Sequence, residues 1–307
     1  MNSRIPLAVA IPQTALDGRF DPSFLRQFLS RAEALGFSGG WVLEQILSVI
    51  PILEPVELLT YAAAVTERLR LGTAVLLTGV RSPVHLAKSL VTLDHLSGGR
   101  LDVGVGLGGR PDLYPATGVP SLRRAARFTE GLRLMKRIWT EPRVTFKGEF
   151  WNLEDAASEP KPLQRPHPPL WFGGHHPNAL RRAIEMGHGF IGAGSIPGSR
   201  FAEQVRQLQT ILAEVGRDPK TFPIGKRVYM AIDTDRARAA RRLAEWFGLF
   251  YRNAELAAQV CVWGEPGECA DGLREVIEGG AQFLLLNPVF DELEHLDLIA
   301  SKVGPRL

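Results

Sequence analysis

Apolar positions along the chain alternate between two periods. Residues 5–11 form a short, nearly continuous apolar run that reads as a strand. In residues 22–35, Phe24, Leu25, Phe28, Leu29, Ala32 and Leu35 share one face at helical spacing, and Gly36 closes the run. The alternation then repeats. Strand 40–43 precedes helix 55–66, and strand 69–77 precedes helix 83–96, which has proline in its first turn and a Ser97-Gly98-Gly99 stop. Strand 101–105 and a long helix over 122–139 follow. Two short β-like runs around Lys147-Gly148 predict a hairpin over 144–153, and a proline-rich crossover comes next (Pro160, Pro162, Pro166, Pro168, Pro169). The remaining pairs are strand 170–172 with helix 177–186, strand 189–191 with helix 200–214, and strand 224–232 with helical segments from Arg236 through Arg252. Helix 267–278, strand 281–286 and helix 291–303 complete the pattern.

Strands that are apolar almost throughout are buried on both faces, which implies a parallel sheet. Eight strand–helix units close into a (β/α)8 TIM barrel. The hairpin and crossover are then an insertion between strands four and five. An open doubly wound sheet is the alternative, but dinucleotide binders of that class carry a glycine-rich turn after an early strand. Here the first strand ends Ile11-Pro12-Gln13-Thr14. A chain of 307 residues suits one such domain over 1–307.

Composition narrows the function classes. Hydrophobic residues make up 45% of the chain and the net charge is only +3, which excludes intrinsic disorder. The arginines are spread along helix faces (Arg123, Arg124 and Arg127; Arg181 and Arg182; Arg236, Arg238, Arg241 and Arg242), so no nucleic-acid partner is expected. Cys261 and Cys269 are too few for a disulfide scaffold, and their spacing matches no zinc or redox motif. No apolar run approaches the roughly 18–20 residues that cross a bilayer. The run at 5–11 is too short for a signal peptide, and Pro6 and Pro12 interrupt it. A cytoplasmic protein with reduced thiols, not associated with membrane, is the expectation.

Barrel enzymes place their chemistry at the C-terminal strand ends. That selects Gln13, then Glu44 and Gln45, then 74–78, 106–112, 173–176 and 192–195, and finally Asp233 and Asn287. Two of these junctions are glycine-rich and lead into helices: Gly173-Gly174-His175-His176-Pro177 and Gly192-Ala193-Gly194-Ser195. Free N–H groups at helix starts favour an anion, so a phosphate site is a candidate, with ordinary turn punctuation as the alternative. Glu44 is a candidate acid/base, because burial shifts a strand-end carboxylate; a salt bridge across the rim is the other reading. Gln45 can hydrogen-bond but cannot transfer protons. His175 and His176 are adjacent and have no cysteine or carboxylate at ligand spacing, so no metal is expected. Gly104, Gly106 and Gly109 satisfy G-x-G-x-x-G formally, but Pro111 and Pro115 interrupt the helix that should follow. A strand end with close backbone approach is the reading there. Phosphate-binding P-loop and nucleophile-elbow signatures do not occur.

Three stretches carry a resemblance. They are Arg70-Leu71-Gly72-Thr73-Ala74-Val75 through Ser82-Pro83-Val84-His85 to Gly106, Pro160-Lys161-Pro162 through Trp171-Phe172-Gly173-Gly174, and Leu180-Arg181-Arg182-Ala183 with Gly187-His188-Gly189. Together they resemble the bacterial luciferase-like oxidoreductases over most of residues 1–215. The resemblance implies a (β/α)8 barrel that binds flavin mononucleotide (FMN) or the deazaflavin coenzyme F420. It places the ring near strands three and four, against Ala74, Val75 and Gly106. It places the phosphate at Gly173, Gly174 and His175 and at Gly192, Ala193, Gly194 and Ser195. It also implies a non-proline cis peptide after strand three, matching the Ala74–Val75 bond here.

Members that oxidise a sugar phosphate with the deazaflavin carry a His, a Glu and a Lys where this chain has Gln45, Gly109 and Ile196. Sugar-phosphate chemistry is therefore not expected. The resemblance implies an oxidoreductase acting on a small organic substrate. With FMN it would be a monooxygenase served by a separate flavin reductase; with the deazaflavin it would exchange a hydride. Glu44, Gln45, Arg110 and His175 are the substrate-facing candidates. Arg110 could clamp an anionic substrate or sit in a rim salt bridge. A homodimer is expected. The alternative function is a non-catalytic ligand-binding or partner subunit of the same descent. An unrelated barrel hydrolase or lyase would need a metal-ligand cluster that the sequence does not offer.

Overall fold

The computed structural model describes residues 5–108, 110 and 112–307. Gly109 and Pro111, both used in reading the G-x-G-x-x-G segment, lie outside the described residues. The strands are β1 (Leu7–Ala10), β2 (Gly39–Val42), β3 (Arg70–Thr73), β4 (Leu101–Val105), β5 (Val144–Lys147), β6 (Asn152–Ala156), β7 (Leu170–Phe172), β8 (Gly189–Gly192), β9 (Ile224–Ile232), β10 (Val262–Gly264) and β11 (Phe283–Pro288). Eight of them close a parallel barrel in the order β1-β2-β3-β4-β7-β8-β9-β11 and back to β1. This is the (β/α)8 architecture. The antiparallel pair β5–β6 is the hairpin inserted between the fourth and fifth barrel strands.

Among the strands, two differences from the sequence reading matter. The third strand is shorter than 69–77: β3 stops at Thr73, and only Leu76 rejoins β4 through a single bridge to Val105. The intervening residues bulge into the barrel mouth. The three-residue strand β10 pairs with the far half of β9, from Met230 to Ile232, outside the barrel seam. Three residues are too few to show a period.

The helices are α1 (Pro22–Ala34), α2 (Pro55–Val65), α3 (Pro83–Leu96), α4 (Leu113–Ala116), α5 (Arg124–Thr140), α6 (Pro177–Met186), α7 (Gly198–Glu214), α8 (Arg236–Phe250), α9 (Leu256–Val260), α10 (Pro266–Glu278) and α11 (Glu292–Leu298). Those starting at Pro22, Pro55, Pro83, Pro177 and Pro266 use the fixed φ of proline where no helical N–H is needed. Asp21, Glu54 and Ser82 cap three of these by accepting amide hydrogens of the first turn. α5 begins two residues later than the pattern predicts, because Arg123 is left-handed (φ 60°). The insertion is tied down from within: the Glu130 carboxylate accepts from the amides of Glu149, Phe150 and Trp151, and Asp94 accepts from those of Leu163 and Gln164.

Packing decides where a ligand could go. Outward-facing residues such as Leu71, Val103, Leu170 and Phe190 bury against the helices. Inside the barrel, Ala8, Trp41, Ile191, Phe283 and Leu285 fill the interior together with Trp171. Trp41 and Trp171 meet edge-to-face with ring centroids 5.7 Å apart. The interior is thus plugged, and open volume remains at the mouth formed by the C-terminal strand ends. Among the described residues, no helix is long and apolar enough to cross a membrane.

Candidate active site

A cavity of about 600 Å³ opens at that mouth. Ala74, Val75, Gly106, Gly173, Gly174, His175, Gly192, Ala193, Gly194 and Ser195 all line it. Its charged lining consists of Arg124, Arg182 and Arg227, and no carboxylate lines it among the described residues. Arg124 Nη1 is buried there without a hydrogen-bond partner, and Arg227 Nε donates to Asn287 Oδ1 at 2.8 Å. Such a lining favours an anion.

One wall is the bulge after β3. Thr73 Oγ1 donates to Gly104 O at 2.8 Å and accepts from Gly104 N–H at 2.8 Å. The Ala74–Val75 peptide is cis. A Cβ at Gly104 would lie 1.7 Å from Thr73 O, and one at Gly106 would lie 2.6 Å from Val75 Cγ2. The glycines of the G-x-G segment thus admit the bulge. Glu44 braces it from behind. Its side chain is 1% exposed, and its carboxylate accepts from Leu77 N–H and from Arg81 Nε, the latter at 2.8 Å. Arg81 also pairs with Glu54, the cap of α2.

A second wall is made of the two glycine-rich loops. The amides of Gly174, His175, Gly194 and Ser195 donate to no acceptor among the described residues. Their carbonyls are drawn back. Gln204 Nε2, from α7, donates to Gly174 O at 3.2 Å. Lys226 Nζ, from β9, donates to Ala193 O and to Ile196 O. In a trans peptide the C=O and the following N–H point in opposite directions. Holding Gly174 O and Ala193 O toward the outer layer therefore aims the N–H groups of His175 and Gly194 into the cavity. The loops lead into α6 and α7, whose N-terminal dipoles add to the attraction for an anion.

A second chamber of about 900 Å³ adjoins the cavity and shares Ala74, Val75, Gly108, Ser195 and Tyr251 with it. Leu43, Ile46, Leu47, Val49, Leu77, Leu113, Leu249 and Phe250 make its walls predominantly apolar. Tyr251, at the junction, shares a 2.8 Å hydrogen bond with the hydroxyl of Tyr229, whose ionisation is pushed well up by complete burial.

Residues 3–282 match the family model of luciferase-like monooxygenases. The chain belongs to this family. It is 31% identical over 237 residues to an F420-dependent glucose-6-phosphate dehydrogenase of Kineococcus radiotolerans, covering 74% of this chain and 69% of the relative. It is 32% identical over 186 residues to an FMNH2-dependent dimethylsulfone monooxygenase of Pseudomonas putida, covering 59% and 50% respectively. Its fold matches the crystal structure of a monooxygenase from Streptomyces bottropensis with a TM-score of 0.85, at 24% identity over 98% of this chain and 99% of that one.

Within this luciferase-like barrel, the ten residues singled out for cofactor binding share one cavity. Glu44, Gln45 and Arg110 lie around the second chamber. Glu44 is engaged by Arg81 and Leu77. Gln45 has its Oε1 buried without a partner. Arg110 is exposed and pairs with Asp112 at 2.6 Å. His175 contributes to the cavity edge with an exposed side chain, while the neighbouring His176 caps α6 through Nδ1, which accepts from Asn178 N–H at 3.1 Å. Sequence reasoning missed Arg81, Arg124, Gln204, Lys226, Arg227 and Tyr251 as site components. Lys226 and Arg227 sit inside an apolar strand pattern, and Gln204 sits on a helix that reads as ordinary amphipathic surface. A charged pair inside strand 224–232 was the one available signal.

Proposed function

We propose that this luciferase-like protein is an oxidoreductase that holds FMN or coenzyme F420 across the barrel mouth and presents it to a small organic substrate. The observation that carries this reading is the paired space: an anion-favouring cavity, lined by no carboxylate among the described residues, joined to an apolar chamber through Ala74, Val75, Ser195 and Tyr251. Both cofactors bring a phosphate, and the unpartnered amides of Gly174, His175, Gly194 and Ser195 fit one. When bound, the cofactor supplies the redox chemistry, oxygen-dependent with FMN and hydride exchange with F420.

The chain itself binds, orients and dries. The loop amides and Arg124, Arg182 and Arg227 hold anionic groups. Val75, backed by Gly106 and Glu44, forms a firm wall against the ring. The apolar chamber excludes water from the reacting face. Gln45 and the Tyr251 hydroxyl are the polar groups available to orient substrate. We assign Glu44 a bracing role, since its oxygens already serve Arg81 and Leu77. The lack of a sugar-phosphate residue set favours a substrate without a phosphate. An FMN-using form would draw reduced cofactor from a separate reductase.

The test is titration of the purified protein with FMN, F420 and riboflavin, following fluorescence and thermal unfolding. FMN or F420 should bind, with riboflavin at least tenfold weaker for want of a phosphate. Ligand at a hundred times its Kd should add about 2.7 kcal/mol of stability. If neither phosphorylated cofactor binds, the non-catalytic reading replaces this one.

A further inference from the structure

Lys226 is an unusual residue for a barrel strand. It is 3% exposed, and it lies behind the turn that joins β8 to α7. Its ammonium donates to Ala193 O and, at 3.0 Å, to Ile196 O, and it sits 5.7 Å from the Phe201 ring centroid. No carboxylate forms an ion pair with it among the described residues. The charged groups around it are Arg227, next along β9, and, across the outer groove, Arg236 from α8 with Glu268, Asp271 and Glu275 from α10. Cys261 also lines that groove, with its thiol pushed up to about 12 by burial. Arg236 is itself paired with Glu268.

Carbonyl dipoles and a ring replace only part of the hydration an ammonium loses on burial. The missing counter-charge has one obvious place. The same turn that Lys226 grips from outside lines the cavity inside with Gly194 and Ser195, whose amides donate to no acceptor among the described residues. We propose that Lys226 is a positioning residue that holds the 193–196 turn in its anion-binding form and takes up a proton when the cofactor's phosphate occupies that turn.

This inference rests on the cofactor reading above. Burial pushes the free lysine down to about 7, with Arg227 adding to the effect. A bound anion nearby favours the charged form. The complex therefore holds more protons than the free protein, and cofactor affinity falls as pH rises above 7. The phosphate does not titrate there: the FMN monoester is already doubly ionised, its second ionisation lying near 6, and the F420 phosphodiester carries one fixed charge.

The experiment measures the Kd for FMN and for F420 at pH 7 and pH 9 in wild type, Lys226→Met and Lys226→Arg. Calorimetry in buffers of different ionisation enthalpy at pH 7.5 reads proton uptake. Wild type should bind about fivefold to tenfold more weakly at pH 9, with net proton uptake that riboflavin does not elicit. Lys226→Arg should restore binding with a flat pH profile, because its guanidinium stays charged. Lys226→Met should bind at least tenfold more weakly at pH 7, also with a flat profile. Should that variant not fold, wild-type proton uptake and Lys226→Arg decide the matter. Wild-type binding that is flat with pH and free of proton uptake overturns this inference alone. Binding of neither cofactor at either pH removes the cofactor reading and this inference together.

Discussion

Glu44 and Arg81 meet beneath the bulge that follows β3, with Arg81 Nε donating to a Glu44 oxygen at 2.8 Å while the other oxygen accepts from Leu77 N–H. The carboxylate is nearly sealed from solvent and is fully occupied. Glu44→Ala should therefore act on stability and cofactor binding together. Breaking a buried pair from one side costs about 3–5 kcal/mol, and the low end applies because Glu54 still pairs with Arg81. Chemical denaturation checks this. A normally stable Glu44→Gln protein that binds cofactor but has lost turnover would instead return Glu44 to a proton-transfer role.

Gly106 and Val75 share one volume. An alanine Cβ at 106 would press on Val75 Cγ2 at 2.6 Å, pushing the wall into the cavity. Gly106→Ala should cost about 1–3 kcal/mol of stability and weaken FMN or F420 binding at least tenfold. Adding Val75→Ala removes the colliding methyls and should recover part of the affinity. A double-mutant cycle on Kd reads the coupling, and strict additivity would show that the two do not meet.

The phosphate contacts assigned to the loops are backbone ones. His175→Ala should leave cofactor affinity within about threefold, since its side chain is exposed and its N–H remains. Gln204→Leu frees Gly174 O and should weaken binding about fivefold to tenfold, the value of one ordinary hydrogen bond. Fluorescence titration distinguishes the two. A larger loss for His175→Ala than for Gln204→Leu would reverse the assignment.

A histidine at the opposite end of the barrel governs acid stability. His188 Nδ1 accepts from Leu170 N–H at 3.1 Å, so its ring is needed neutral. Burial, with His167, Lys136 and Arg217 nearby, pushes it down to about 4. The unfolded value is near 6.5, so the unfolded chain binds the extra proton first as pH falls. The His188 contribution is whole above pH 6.5 and is lost progressively toward pH 4, for a total of about 3 kcal/mol. Urea unfolding at pH 7 and pH 4.5 should show that loss, and His188→Gln should flatten it.

Much of the scaffold is legible in the sequence. Prolines at 22, 55, 83 and 177 mark helix starts, because the ring fixes φ locally, whereas the helix read from 267 in fact begins one residue earlier, at Pro266. The eight barrel strands read as apolar runs because both faces are buried. The glycine-rich loops after β7 and β8 were visible for the same local reason, and the residues chosen there share one cavity. The short strand β10 was not legible, since its pairing partner rather than local pattern defines it, and the bulge after β3 with its cis Ala74–Val75 bond was implied by the family resemblance alone and not by the apolar pattern.

Sequence alone thus determined the order of the eight barrel strands and their principal helices, the barrel and the glycine-rich loops at its mouth. All of these are set by backbone preference and by apolar period within a few consecutive residues. Tertiary structure alone decided which side chains serve those loops and the bulge beside them. Glu44 reaches Arg81 across 37 positions, Gln204 reaches Gly174 across 30, and Lys226 reaches Ala193 across 33. Closing the barrel fixes those meetings. A carboxylate becomes a brace, and a strand lysine becomes a clamp on a turn at the barrel mouth, because side-chain chemistry is set by the partners that register brings within hydrogen-bond distance.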